Sequence, residues 1–346
     1  MDRLAPKIIS FLRTGQGHFE DLALELFAYQ FEKNRPYQAY CRMQNITPDA
    51  VRRWQDIPAV PIGAFKSAEL ATLPAGQAAA VFESSGTMVA VKSRHILKTL
   101  TYYEMSLKSG FEKEILPDNA RMPFFILAPS PAEAPHSSLS WMLDVVRRTY
   151  GALGSAYLVA RGRLDEWRLA SLLAKAEAAQ QPVALLGTTI AFLAFFDHAA
   201  QTGKTYRLAP GSRLMDTGGL KTDKRETTRP TFVKQAEDLF DIPPNLCINE
   251  YGMCELSSQF YGCGASSYLE GPPWTRTLVI DSATGRPTPS GKPGLLRHFD
   301  LANVDSVLAI QTEDVGIEEE NGFVLQGRDP SAEVKGCSLS AEAFIS

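Results

Sequence analysis

Long apolar runs are missing from this sequence. The longest, Ile190 to Phe196, is far too short to span a bilayer, so no membrane is expected as a partner. Met1-Asp2-Arg3-Leu4-Ala5-Pro6 carries no apolar signal-peptide core. Cysteine is scarce and odd in number: Cys41, Cys247, Cys254, Cys263 and Cys337. Five cysteines make no disulfide framework and fit a reducing, cytoplasmic setting. The spacing of Cys254 and Cys263 resembles no zinc site. Charge of one sign is also missing: the formal net charge is -4, without a basic stripe, which argues against nucleic acid. Neither a Gly-x-Ser-x-Gly elbow nor a Walker-type loop occurs, and no internal repeat or low-complexity linker interrupts the chain.

What remains is ample for a folded core. Of 346 residues, 45% are hydrophobic and 21% charged, ordinary values for a globular protein of one or two domains. Three zones follow from local pattern. In residues 1–75, Leu22, Leu26, Phe27, Tyr29 and Phe31 recur at near-helical spacing. Pro36, Pro48, Pro58, Pro61 and Pro74 then break that zone into short pieces. Residues 76–328 form the expected core, and residues 329–346 a C-terminal stub.

Within the core, residues 76–255 alternate strand and helix. Strands are predicted at 78–82, 124–127, 156–159, 183–186, 212–215 and 246–248, with helices at 138–150, 164–180, 190–200 and 231–240. That order implies right-handed βαβ units, hence an α/β fold with a mostly parallel sheet flanked by helices. Residues 276–328 switch to short strands with turns such as Ala283-Thr284-Gly285 and Glu320-Asn321-Gly322. A small antiparallel or barrel-like part is expected there.

Ligands bind outside the carboxyl ends of parallel strands. Four polar segments follow predicted strands, which would place all four along one edge: Ser84-Ser85-Gly86-Thr87, Gly187-Thr188-Thr189, Asp216-Thr217-Gly218-Gly219, and Asn249 to Glu255. The first reads as a phosphate cradle between a strand and a helix. Glycine lets the backbone approach the anion, hydroxyls add donors, and Lys92 supplies a cation. An aromatic such as Tyr251 can stack on a base, and a carboxylate such as Glu255 can hold Mg²⁺ beside phosphates. Asp314 offers a carboxylate to ribose hydroxyls, and Gly327-Arg328-Asp329 a cation and a turn. Each has a plainer alternative. Tyr251 also fits a core aromatic, Glu255 a helix cap, Asp314 a turn, and Gly218-Gly219 a simple loop. His136 suits an acyl pocket or the position beside a helix cap, and Cys337 a thiol nucleophile or a small buried residue.

Taken in order, these segments resemble the adenylate-forming superfamily of acyl and aryl CoA synthetases, adenylation domains and luciferase-type enzymes. Ser84, Ser85, Gly86, Thr87 and Lys92 match its phosphate loop, although Met88 and Val89 stand where a hydroxyl residue and a glycine are usual. Tyr251-Gly252-Met253-Cys254-Glu255 is similar to its Tyr-Gly-x-Thr-Glu segment. The resemblance implies adenine contact at Tyr251 and Gly218-Gly219, Mg²⁺ at Glu255, ribose at Asp314 and a hinge at Arg328. Cys254 replaces the threonine that donates to the α-phosphate, and a thiol donates more weakly. Within the superfamily the phrases Phe82 to Thr87 with Ser93-Arg94-His95, Tyr251 to Tyr261, Gln311 to Gly316 and Gly336 to Ser340 resemble the acyl-protein synthetases of bacterial luminescence. Only 17 residues follow Asp329, so the small C-terminal lid domain of full-length synthetases is expected to be absent, as in acyl-protein synthetases.

The resemblance implies ATP-dependent activation of a fatty or aromatic carboxylic acid as acyl-AMP, then transfer to a thiol. Cys337 is the internal acceptor candidate, near Lys335, which would lower its pKa. Glu255 and Lys92 would assist the chemistry, and His136, Gly187 and Thr188 would line the acid pocket. An acyl reductase or acyltransferase would be the partner; the oligomeric state is left open. Two further readings stay open: an aromatic-acid ligase of a secondary-metabolite pathway that transfers to CoA or a partner, and a non-catalytic nucleotide- or acyl-binding subunit. Met88, Val89 and Cys254 are the residues that speak for the latter.

Overall fold

In the computed structural model, residues 1, 3–84, 91–219 and 227–329 are described. Ser85, Gly86, Thr87, Met88, Val89, Lys335 and Cys337 therefore lie outside the described residues.

The chain opens with three helices, α1 (Leu4–Thr14), α2 (Phe19–Lys33) and α3 (Arg35–Met43), then a short strand β1 (Val60–Pro61). A hairpin of β2 (Ala80–Glu83) and β3 (Arg94–Leu97) precedes α4 (Thr101–Glu114). The alternating stretch runs β4 (Phe124–Leu127), α5 (Ser138–Tyr150), β5 (Ala156–Tyr157), β6 (Val159–Ala160), β7 (Arg163–Leu164), α6 (Glu166–Ala178), β8 (Ala184–Thr188), α7 (Thr189–Thr202), β9 (Arg213–Thr217), α8 (Arg229–Phe240) and β10 (Cys247–Tyr251). Then come β11 (Phe260–Cys263), β12 (Tyr268–Glu270), β13 (Thr275–Ile280), β14 (Pro293–Asp300), β15 (Ala309–Glu319) and β16 (Gly322–Arg328). Two compact units divide these elements: residues Gly110–Gly252 with Phe260–Leu269, and the remainder, which includes Met253–Gln259.

The unit of Gly110–Gly252 realises the predicted α/β pattern. Strands β10, β9, β8, β4 and β5 are parallel neighbours in that order, with β11 antiparallel beside β10. The residues of β4, β8 and β9 are almost wholly buried, as in a sheet covered on both faces. Phe192, Phe195, Phe196, Phe232 and Phe240 fill the space against Leu127 and Leu185. Phe195 and Phe240 stack with centroids 6.0 Å apart. Truncating one such ring to alanine costs about 3–5 kcal/mol.

The other unit holds an antiparallel sheet, β13-β14-β15-β16, with β1 added in parallel beside β15. It stays open, so the barrel-like expectation narrows to an antiparallel sheet. Polar side chains tie the N-terminal helices to it. Buried Gln30 donates to the Asn303 carbonyl (2.7 Å) and accepts from the Leu308 amide (2.8 Å). Asn34 donates to the Ser306 carbonyl (3.2 Å). Gln30 thus takes a core position on α2, whereas Tyr29 and Phe31 beside it are only partly buried.

Two expectations need correction. The predicted strand 78–82 is not part of the parallel sheet; it is β2 of an antiparallel hairpin, with Phe82 its one buried residue. Consequently Ser84 stands between two strands rather than between a strand and a helix; it shares its unit with Cys254 and Glu255, whereas Gly187-Thr188-Thr189 and Asp216-Thr217-Gly218-Gly219 belong to the other. The strand predicted at 156–159 is split by Leu158 into β5 and β6, which pair with different partners.

Candidate functional site

In the unit of Gly110–Gly252, neighbouring parallel strands deliver four candidate segments to one edge. His136 follows β4, Gly187 and Thr188 end β8, Gly218 and Gly219 follow β9, and Tyr251 and Gly252 end β10. Gly187 has a packing reason: a Cβ there would meet the Leu127 carbonyl oxygen at 2.5 Å across the β4–β8 pair. The Thr188 hydroxyl accepts from the Ala191 amide (3.3 Å) and so caps α7. His136 is exposed and precedes Ser137, which caps α5. Gly218 has φ +101°, a conformation that favours glycine. Tyr251 is buried and meets Phe260 edge to face at 5.8 Å.

The same edge holds a buried polar network that the sequence did not reveal. Asp216 forms an ion pair with Arg229, whose side chain also donates to the Gly264 and Cys247 carbonyls (2.9 and 3.1 Å). Thr189 donates to Asp216 at 3.0 Å and Asn249 at 3.2 Å. Burial pushes the Asp216 carboxyl above its ordinary value, while Arg229, Thr189 and Asn249 pull it back. Beside it the Thr217 hydroxyl donates to Glu250, whose carboxyl burial pushes up to about 7. Arg229 sits in the first turn of a helix with no apolar reason to be buried; that mismatch was the available signal.

In the other unit, the β2–β3 hairpin carries Ser84 and Lys92. The Ser84 amide donates to the Ser93 carbonyl (3.1 Å), and the Ser93 amide donates back to the Ser84 hydroxyl (3.0 Å). Lys92 lies 3.4 Å from Glu83. The Ser93 side chain acts on the Glu255 carboxyl, pulling it down. Glu255 is 3% exposed, and burial pushes its carboxyl up; the charges of Arg328 and Lys66 act on it only after burial and that side chain. Cys254 accepts at its carbonyl from His95 Nδ1 (2.9 Å), and burial pushes its thiol up. Asp314 and Arg328 face each other across β15 and β16, with Arg328 Nε 3.8 Å from Asp314 and its Nη2 3.6 Å from Glu313.

Each unit therefore gathers its own subset: Ser84, Lys92, Cys254, Glu255, Asp314 and Arg328 in one, His136, Gly187, Thr188, Gly218, Gly219, Tyr251 and Gly252 in the other. Glu255 passes a chemical test for Mg²⁺. It is an oxygen ligand, buried, and no described lysine or arginine pairs with it directly, so its charged form lacks a cation.

Parallel strands with loops at their carboxyl edge and an antiparallel part, together with helices, fit an adenylate-forming fold. Solved structures bear this out. The chain is similar to 2-hydroxyisobutyryl-CoA ligase in an open conformation with 2-HIB-AMP and CoA, at TM-score 0.64 and 15% identity over 89% of this chain and 69% of that one. It is also similar to ATP-bound MatB from Rhodopseudomonas palustris, at TM-score 0.52 and 14% identity over 74% of this chain and 49% of that one. At such identities the likeness is one of fold. The family is closer: the model of "Acyl-protein synthetase, LuxE" matches residues 16–345, and the chain belongs to that family. A curated relative is the long-chain-fatty-acid–luciferin-component ligase of Aliivibrio fischeri, 23% identical over 344 residues, 94% of this chain and 88% of that one. No helix among the described residues is long and apolar enough to cross a membrane.

Proposed function

We propose that this protein activates a carboxylic acid with ATP as acyl-AMP and passes the acyl group to a thiol. The observation that carries this reading is the family match, which runs from residue 16 to residue 345 and so takes in every candidate segment. The name of the Aliivibrio fischeri relative supports a fatty acid over an aromatic one.

In the first step a carboxylate oxygen of the acid attacks the α-phosphorus, and pyrophosphate leaves. The protein's part is positioning and charge neutralisation. Ser84 and Lys92 would address the phosphates, Tyr251 and Gly218-Gly219 the adenine, and Asp314 the ribose, with Arg328 holding Asp314 in place. Mg²⁺, held by Glu255, would supply positive charge to the phosphates. In the second step a thiolate attacks the acyl carbonyl carbon and AMP leaves. Three of the five cysteines are poor acceptors: burial pushes the thiols of Cys41 and Cys247 up to about 12, and that of Cys254 upward as well, whereas Cys263 is exposed. Cys337, read from sequence, is the proposed internal acceptor, and a reductase or acyltransferase the proposed recipient.

Incubation with ATP, Mg²⁺ and a panel of fatty and aromatic acids, followed by intact-mass measurement, tests this. The expected result is acid-dependent pyrophosphate release and a hydroxylamine-labile acyl mass that Cys337→Ser abolishes. Nucleotide binding without pyrophosphate release for any acid would favour the non-catalytic subunit.

A further inference from the structure

We propose that His95 is a positioning residue that sets the Glu255 carboxylate by gripping the backbone beside it. The inference deepens the reading of Glu255 given above and rests on it.

His95 lies on β3 and is completely buried. Its Nδ1 is 2.9 Å from the carbonyl oxygen of Cys254. A carbonyl only accepts, so Nδ1 carries the proton and Nε2 is the bare nitrogen. Nε2 is buried and has no hydrogen-bond partner among the described residues. Phe65 meets the ring edge-on at 6.4 Å and 88°. Burial holds the ring neutral, with its pKa lowered to about 4.

Ser93 and His95 are two apart in an extended chain, so they share one face. His95 takes the Cys254 carbonyl, and the Ser93 side chain acts on the Glu255 carboxyl, pulling it down. One residue of β3 thus holds the residue beside Glu255, in a segment some 160 positions later. The rest of that segment is fastened independently. Asn303 donates to the Glu255 carbonyl (2.9 Å). Asp300 accepts from the Ser257 and Ser258 amides (3.0 and 2.8 Å). Ser93 is in turn locked to Ser84 by two hydrogen bonds. Of these fastenings, the His95 bond reaches the residue immediately before Glu255, and it comes from the hairpin that carries Ser84 and Lys92. A ring that merely filled space there would need no donor; a buried imidazole with one nitrogen bonded and the other left bare has been kept for the bonded one.

The test compares full-length His95→Phe, which keeps ring volume and loses the donor, with His95→Asn, whose amide nitrogen overlays Nδ1. Amide hydrogen exchange of the 250–260 peptide is read without any ligand, Mn²⁺ affinity in the presence of ATP is read by titration, and kcat and KM are read by pyrophosphate exchange. His95→Phe is expected to speed exchange at Glu255 to Ser258, and to weaken Mn²⁺ binding and kcat by about 10–100-fold. The KM for the acid should stay within about threefold, and His95→Asn should recover most of the loss. If His95→Phe does not fold, His95→Gln, which places its amide at the Nε2 end, must reproduce the loss. Wild-type exchange and Mn²⁺ affinity in the Phe or Gln variant, or an Asn variant no better than they are, would overturn the role. Failure of the functional reading is distinct: wild type would release no pyrophosphate with any acid, whereas the exchange and Mn²⁺ contrasts still decide His95.

Discussion

Asp216 and Glu255 are both buried carboxylates, one in each compact unit, and the protein answers them differently. Asp216 has a guanidinium, a hydroxyl and an amide. Glu255 has no ion pair among the described residues: Ser93 pulls its carboxyl down most, with the charges of Arg328 and Lys66 acting more weakly. A buried charge that is fully paired is part of the architecture; one left short of a cation is a place where a cation can be received. The difference separates a paired polar network at the carboxyl edge of the parallel sheet from a buried carboxylate that lacks a paired cation, the feature the proposed Mg²⁺ role rests on.

The first way to break that comparison is at Arg229. Arg229→Met strands Asp216 without its cation and should cost about 3–5 kcal/mol of stability, read by urea denaturation. Adding Asp216→Asn should restore much of that loss, since no unpaired charge then remains. A single variant as stable as wild type would show that the pair has no architectural role.

Glu250 tests the same edge through pH. Its carboxyl is pushed up to about 7, chiefly by burial and also by the charge of Asp216. A raised carboxyl is protonated in the folded state after the unfolded chain has ionised. Stability is therefore unaffected at low pH, falls as pH rises from about 4.5 to 7, and stays low above, by a total on the order of 3 kcal/mol. His95 has the opposite sign: with its pKa lowered to about 4, stability falls as pH drops from 6.5 towards 4. The two slopes oppose each other across their shared window. Glu250→Gln should gain on wild type progressively up to pH 7 and leave the acid-side fall exposed. Parallel curves of stability against pH for the two proteins would refute the burial-raised carboxyl at 250.

Glu255→Gln sharpens the comparison from the other side. It removes charge but keeps an acceptor for Ser93, so stability should hold or rise slightly. Metal-dependent nucleotide turnover should fall by about 10–100-fold. Loss of stability with turnover intact would reassign Glu255 to architecture, alongside Asp216.

Sequence pattern showed one of these regions far better than the other. In β4 and β8, continuous apolar runs and intervening helical periods are local signals, and helix α5 falls on Ser138–Tyr150 as predicted. The hairpin was misread because Ala78-Ala79-Ala80-Val81-Phe82 looks like a buried strand while only Phe82 of β2 is buried. Ser93 and His95 look like surface residues, yet both are buried because their partners arrive from residues 254 and 255. Asp300, Asn303 and Asp305 sit in a polar stretch that reads as a loop, and all three are buried holding backbone amides or carbonyls. Candidate segments stand out because their residue types are unusual in sequence. The side chains that position them were not, because a buried hydrogen bond leaves no local trace.

The smallest expected effect concerns the cation near the phosphate segment. Glu83 and Lys92 lie 3.4 Å apart with side chains 27% and 44% exposed. A pair so wetted contributes about 0–1 kcal/mol, so Glu83→Gln should leave stability nearly unchanged. It should still matter to a bound polyanion. With Glu83 neutral, Lys92 no longer divides its charge between a carboxylate and the phosphates, and the KM for MgATP should fall by about two- to threefold at low salt. The gain should shrink as ionic strength rises, because screening acts on exposed charges first. Lys92→Ala should raise the same KM and make Glu83→Gln silent in the double variant. An unchanged KM at low salt in Glu83→Gln would mean that Lys92 does not face the phosphates, and the cradle would then rest on the hydroxyls and backbone of the segment that begins at Ser84.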